Sequence, residues 1–188
     1  MSRTEAYLIL TKYLKNPNLL KHSLACEAAM KMIYKKITQP PYDPDVEQMW
    51  GITGLLHDAD YEMTAGKPEI HGIYLFQKEP MIPKDIEYAI KAHNPRTSIT
   101  PKSQMDWAIR TVDQLTGLIV AATLVHPDKK LASITPEFVL NRLHEKTFAK
   151  GADRTQMKLC EEKLGIPLNE FVAITLLAMQ GISNDLHL

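Results

Sequence analysis

The stretch Gly51–Met63, GITGLLHDADYEM, decides how this chain is read. Its first half is apolar and holds two glycines. Its second half brings His57, Asp58, Asp60 and Glu62 together within a few residues. Val46, Met49, Trp50, Thr53 and His57 recur at helical spacing, which predicts a helix over 45–57 followed by a loop over 58–67. Neighbouring residues on a helix diverge by about 100°, so His57 and Asp58 can share one partner only where the helix is ending. An apolar pattern that runs into carboxylates needs compensation, because a buried, unpaired carboxylate costs several kcal/mol.

Outward from that stretch the chain reads as helix after helix. Apolar periodicity predicts helices over 3–15, 18–37, 68–79, 84–93, 104–125, 136–145, 153–164 and 168–182. The breaks fall at proline-rich or turn-forming segments such as NPN, TQPPYDP, EPMIP and NPRTSITPKS. Thr135 before Pro136-Glu137 is a helix start, and Gly165 before Pro167 is a stop. No alternating strand pattern appears, so the expected fold class is all-α, with the core between helices.

Composition narrows the function classes. The 188 residues fit one domain, 1–188, able to bury a core. Twenty-two basic residues balance 22 acidic ones, which gives no electrostatic case for nucleic acid or an anionic membrane. No apolar run is read as approaching the roughly 20 residues that span a bilayer. The start of the chain, MSRTEAYLILTKYLK, is too charged and amphipathic for a signal peptide, and two cysteines make no disulfide framework. A reduced, cytoplasmic setting is the expectation.

His22, His57, His93 and Asp113 each lie on or beside the apolar stripe of their predicted helix. Singly, each has an ordinary reading. A histidine on an apolar face is usually a satisfied core residue, and Asp113 has Arg110 or Lys21 as possible partners. Together, several imidazoles and carboxylates in one core are expensive unless they surround a divalent ion. Gly117, one turn after Asp113, is read as letting another backbone approach closely. Cys26, one turn after His22, is read as a small core residue.

The order of this set resembles the HD superfamily of metal-dependent phosphohydrolases, whose ligands run His…His-Asp…Asp on an all-helical bundle. Here His22 is followed 35 residues later by His57-Asp58, and Asp113 lies 55 beyond. KHSLACEAAM looks like the family's first ligand helix, GLLHDADY like its doublet and VDQLTGLIVAA like its last Asp helix. The resemblance covers about 18–125, taken as the metal-binding core, with additional C-terminal helices at 136–182 completing an HD-domain-like bundle. His71 and His93 extend the series to the six-ligand pattern of the family's binuclear branch, as ligands of a second metal or as phosphate contacts. The departures are Tyr61, where the HDIG-type motif has Lys, and Asp60, where it has Gly. No GYP segment is present. The glutamate of the deoxynucleotidase branch is also unmatched.

The resemblance implies metal ligands His22, His57, Asp58 and Asp113 holding one or two divalent transition-metal ions. The His/carboxylate mixture suits Mn, Fe, Co, Ni or Zn better than Ca. The implied activity is hydrolysis of a phosphoester, in a nucleotide or small phosphorylated metabolite, through a metal-activated water. Asp60 and Glu62 are candidate acid/base groups or simply solvated loop acids. Lys67, Arg96, Lys150 and Arg154 are candidate substrate contacts or surface charges. Gly151 with the following helix start is a possible anion cradle. Two other readings remain open: a non-catalytic binding module on the same fold, and a di-iron oxygenase resembling inositol oxygenase.

Overall fold

The computed structural model describes residues 1–188 as ten α-helices and three short 3-10 turns, with no strand. The helices are α1 (Arg3–Tyr13), α2 (Pro17–Ile37), α3 (Pro44–Leu56), α4 (Tyr74–Lys78), α5 (Lys84–His93), α6 (Gln104–Val125), α7 (Pro136–His144), α8 (Arg154–Leu164), α9 (Leu168–Gln180) and α10 (Ser183–Leu186). The expected all-α class is what the chain adopts.

Most helix starts are set by local chemistry. Ser2 and Ser103 form capping boxes with Glu5 and Asp106. Asn16, Asp43, Thr135 and Asp153 cap α2, α3, α7 and α8 through their side-chain oxygens. Proline follows the cap in α2, α3 and α7, where its missing N–H costs nothing. Gly165 ends α8 at φ 68°, a left-handed conformation that favours glycine.

The core has two parts. The larger joins α2, α6, α7, α8 and α9, with Ile33, Ile109, Leu115, Phe171 and Met179 at its centre. The smaller joins α1, α3, α4 and α5 through Leu10, Leu55, Phe76 and Ile90. Leu24 and Met49 pack against both. Helix α3 meets α2, α5 and α6 here, and α6 also meets α2 and α5.

Two features depart from the sequence reading. The helix expected over 68–79 shrinks to Tyr74–Lys78, because Gly72 takes φ 81° and the segment before it winds into turns. By length and composition α6 is apolar enough to cross a bilayer, contrary to the expectation that no run approaches that length. However, 56% of its most apolar window is buried against other helices, and Asp113 lies midway along it. Its apolarity is that of a central core helix.

Candidate metal centre

The doublet is placed by the glycine-lined contact of α3 with α2, above all at Gly54. A Cβ on Gly54 would lie 2.5 Å from the Cys26 carbonyl oxygen, and one on Gly51 would lie 2.3 Å from Lys31 Cε. At Gly54 the obstruction is backbone, so only glycine lets α3 approach α2 this closely; at Gly51 it is the mobile end of a lysine side chain. The approach brings His57, at the end of α3, against His22 on α2, with their Nε2 atoms 3.2 Å apart. Past His57 the chain leaves the helix, so Asp58 turns toward the same point. Asp58 Oδ2 lies 3.6 Å from His22 Nε2 and 3.5 Å from His57 Nε2. Asp113 Oδ1, from α6, lies 3.1 and 3.7 Å from the same two nitrogens.

The other oxygen of Asp58 faces a second pair. Asp58 Oδ1 is 3.0 Å from His71 Nε2 and 3.9 Å from His93 Nε2. Gly72 makes this possible. Its left-handed turn swings His71 inward, and a Cβ there would sit 2.9 Å from the Ile90 carbonyl oxygen and 3.3 Å from His93 Cε1. The structure therefore brings all six residues of the series, His22, His57, Asp58, His71, His93 and Asp113, into one cluster.

Hydrogen bonds on the far side of each ring assign the tautomers. His57 Nδ1–H donates to the Gly54 carbonyl at 2.8 Å, and His93 Nδ1–H donates to that of Ile90 at 2.5 Å. His71 Nδ1–H donates to Asp60 at 2.8 Å. His22 Nδ1–H donates to the Thr116 hydroxyl at 3.3 Å, and that hydroxyl donates to the Asp113 carbonyl. All four Nε2 atoms are thus left to point inward with lone pairs. Two lone pairs 3.2 Å apart repel unless a proton or a cation lies between them. Ligand atoms about 2.1 Å from a common ion stand roughly 3.0–3.4 Å apart, close to the separations seen here. The donor set fits a divalent transition metal.

Electrostatics agree. Burial alone would lower the His22 imidazole, but Cys26 and Asp113 beside it hold it well above its ordinary value. Burial is likewise outweighed at His57 by Asp58, Cys26 and Asp113, which raise it to about 10. At His71, hydrogen bonds to Asp58 and Asp60 overcome burial and raise it to about 9. Asp58 and Asp113 remain below the usual carboxylate range despite burial, held there chiefly by these imidazoles. His93 is pushed down to about 4 by burial and by the charges of His57 and His71. Without an ion, protons do the work that a cation would do.

The cluster floors a cavity of about 520 Å³. Its roof is Ala149–Ala152, from the segment between α7 and α8. Arg154 anchors this roof by donating to the carbonyls of Leu143, Phe148, Ala149 and Ala152. Gln114 ties the roof to the floor, accepting from the Asp153 amide at 2.9 Å and donating to Asp113 Oδ2 at 2.7 Å.

Several candidate residues have other work. Asp60 is almost fully buried, and its oxygens take the His71 ring and the Gly72 and Leu75 amides, so it orients the His71 imidazole and is not free to act as an acid or base. Glu62 accepts from the Lys15 and Asn16 amides at the start of α2. Arg154 is spent on the roof. Lys67 and Arg96 are exposed and do not line the cavity; Lys150 does. The anion cradle expected at the start of α8 is filled by its own cap, since Asp153 accepts from the Thr155 and Gln156 amides. Gly117 makes no close backbone contact. A Cβ there would meet nothing within 4 Å, and the residue opens space on the cavity wall.

Sequence reasoning missed the tethers Thr116 and Gln114. It also passed over Gly72, although a glycine inside a predicted helix signals a break. Comparison with protein-family models, curated proteins and solved structures finds no match to this chain, so what stands is an all-α fold with a buried His/Asp cluster able to hold metal.

Proposed function

We propose that this chain is a metal-dependent phosphohydrolase of the HD type, acting on a phosphoester of a nucleotide or a small phosphorylated metabolite. The observation that carries the reading is Asp58, whose two oxygens face two separate histidine pairs on the floor of an open cavity. That geometry supports two ions, one held by His22, His57, Asp58 and Asp113, the other by His71, His93 and Asp58. Bound there, divalent ions would polarise a phosphoryl oxygen and activate water for in-line attack. The resemblance in ligand order and the polar, solvent-open cavity favour phosphoester chemistry.

The chain's own groups divide the remaining tasks. Gln114 holds Asp113 in its ligating orientation, and Asp60 does the same for His71. Lys150 is the lysine or arginine that lines the cavity, suited to balancing phosphate charge. Tyr61 stands on the rim, its ring edge-on to His71 at 5.3 Å. With Asp60 and Glu62 engaged, Tyr61 and Lys150, which line the cavity, are the candidates for giving a proton to a leaving oxygen.

The test is elemental analysis after saturation with Mn or Fe, followed by phosphate release from a panel of nucleotides and sugar phosphates. Two ions per chain and turnover on at least one phosphoester are expected. Metal-loaded protein that releases no phosphate from any member would overturn the reading. Oxygen consumption by the iron form would transfer it to the di-iron alternative, for which the same six residues would serve.

A further inference from the structure

The first histidine pair has another donor behind it. Cys26 follows His22 by one turn of α2 and is fully buried. Its Sγ lies 3.8 Å from His22 Nε2, and the donor atoms of His22, Cys26 and His57 all fall within 4.8 Å of one another. An ion bonded to nitrogen at about 2.05 Å and to thiolate sulfur at about 2.3 Å sets those atoms about 3.6 Å apart in a tetrahedron, and two such nitrogens about 3.3 Å apart. The His22–Cys26 and His22–His57 separations, 3.8 and 3.2 Å, come close to that spacing, and Cys26 and His57 offer donor atoms within 4.8 Å of each other. Without an ion the thiol is partnered by the Thr116 hydroxyl at 3.3 Å.

We propose that this centre has two coordination modes, chosen by the softness of the ion. Hard ions such as Mn2+ take His22, His57, Asp58 and Asp113. Thiophilic ions such as Zn2+ or Cd2+ take His22, His57 and the Cys26 thiolate, with a carboxylate completing the set. In the second mode the Cys26 S–H bond breaks, a sulfur–metal bond forms and the proton leaves to solvent, with no change of oxidation state. A thiolate is the preferred donor for a soft ion, and this one lies in the protein interior, so the ion is drawn away from the cavity. The inference rests on the metal centre but not on phosphohydrolysis.

Full-length protein, stripped and reloaded with Co2+ or Cd2+, provides the test. A sulfur-to-metal charge-transfer band is expected in the wild type and in Cys160→Ser, and its loss is expected in Cys26→Ser. Cys160, the other cysteine, is buried elsewhere in the core. Cys26→Ser should weaken Cd2+ binding at least about tenfold and leave Mn2+ binding within about twofold. Bound Co2+ without the band, or a band that survives Cys26→Ser, overturns the thiolate mode alone. Failure of the wild type to bind any of these ions overturns the metal centre and this mode with it. Should Cys26→Ser not fold, the band in Cys160→Ser, which retains one cysteine, still decides the matter.

Discussion

Asp60 holds three groups at once, and its loss shows how the second histidine pair is built. In Asp60→Ala the Gly72 and Leu75 amides and the His71 ring lose their acceptor in a dry site. The expected cost is about 3 kcal/mol, or roughly 6–12 °C in Tm for a chain of this size. His93→Ala should fold and lose one ion per chain, read by elemental analysis after Mn saturation, because His22, His57 and Asp113 are untouched. The histidines also set a pH dependence. His57 and His71 have folded values of about 10 and 9 against an ordinary 6.5, so their contribution to the metal-stripped protein is complete below pH 6.5 and is lost as pH rises through those values. Tm of the stripped protein should fall by at least about 5 °C between pH 7 and 10. Mn2+ affinity should rise over the same interval, since the ion takes neutral imidazoles. A stripped protein whose Tm is flat across that range would refute the assignment.

At the scale of elements, the contact between α2 and α3 governs the site. Gly54→Ala drives a methyl into the Cys26 carbonyl and the Glu27 amide, backbone atoms that cannot rotate away. The expected cost is about 1–3 kcal/mol, together with weaker Mn2+ binding although every ligand is present. Gly151→Ala, whose Cβ meets nothing within 4 Å, should stay within about 0.5 kcal/mol and serves as the comparison in a denaturant titration. The helices were legible because their signals are local: caps at Asn16, Asp43, Ser103 and Thr135, and unbroken apolar periodicity through α6. Of the cluster, His22, His57, His93 and Asp113 were legible because costly groups recur on inward faces; Asp58 and His71 entered through the resemblance in ligand order. What stayed hidden depends on partners distant in the chain. Asp60 and Arg154 look like any acid and base in a loop. Only the fold shows that one faces His71 and the other a ring of carbonyls.

For the whole molecule, a centre that joins α2, the end of α3, the turn at His71, α5 and α6 should act as a brace. Its ligands span residues 22 to 113, and an ion that binds only the folded chain stabilises it by mass action. At a hundredfold excess over Kd the gain is about 2.7 kcal/mol, or roughly 5–11 °C in Tm, which a thermal melt with and without Mn2+ would read. Loss of that shift in Asp113→Ala would tie it to the centre. Arg154→Met should leave the metal shift intact and make the roof the first site of proteolytic nicking, since four carbonyls lose their common donor. The roof, Ala149–Ala152, contributes no ligand, and the ligands contribute none of the roof. The metal-binding groups and most of the segment above them therefore lie on different stretches of chain, linked through Gln114. Insertions or exchanges between α7 and α8 would reshape the opening of the cavity and leave the six-residue cluster in place, so long as they keep the Asp153–Gln114 link to Asp113.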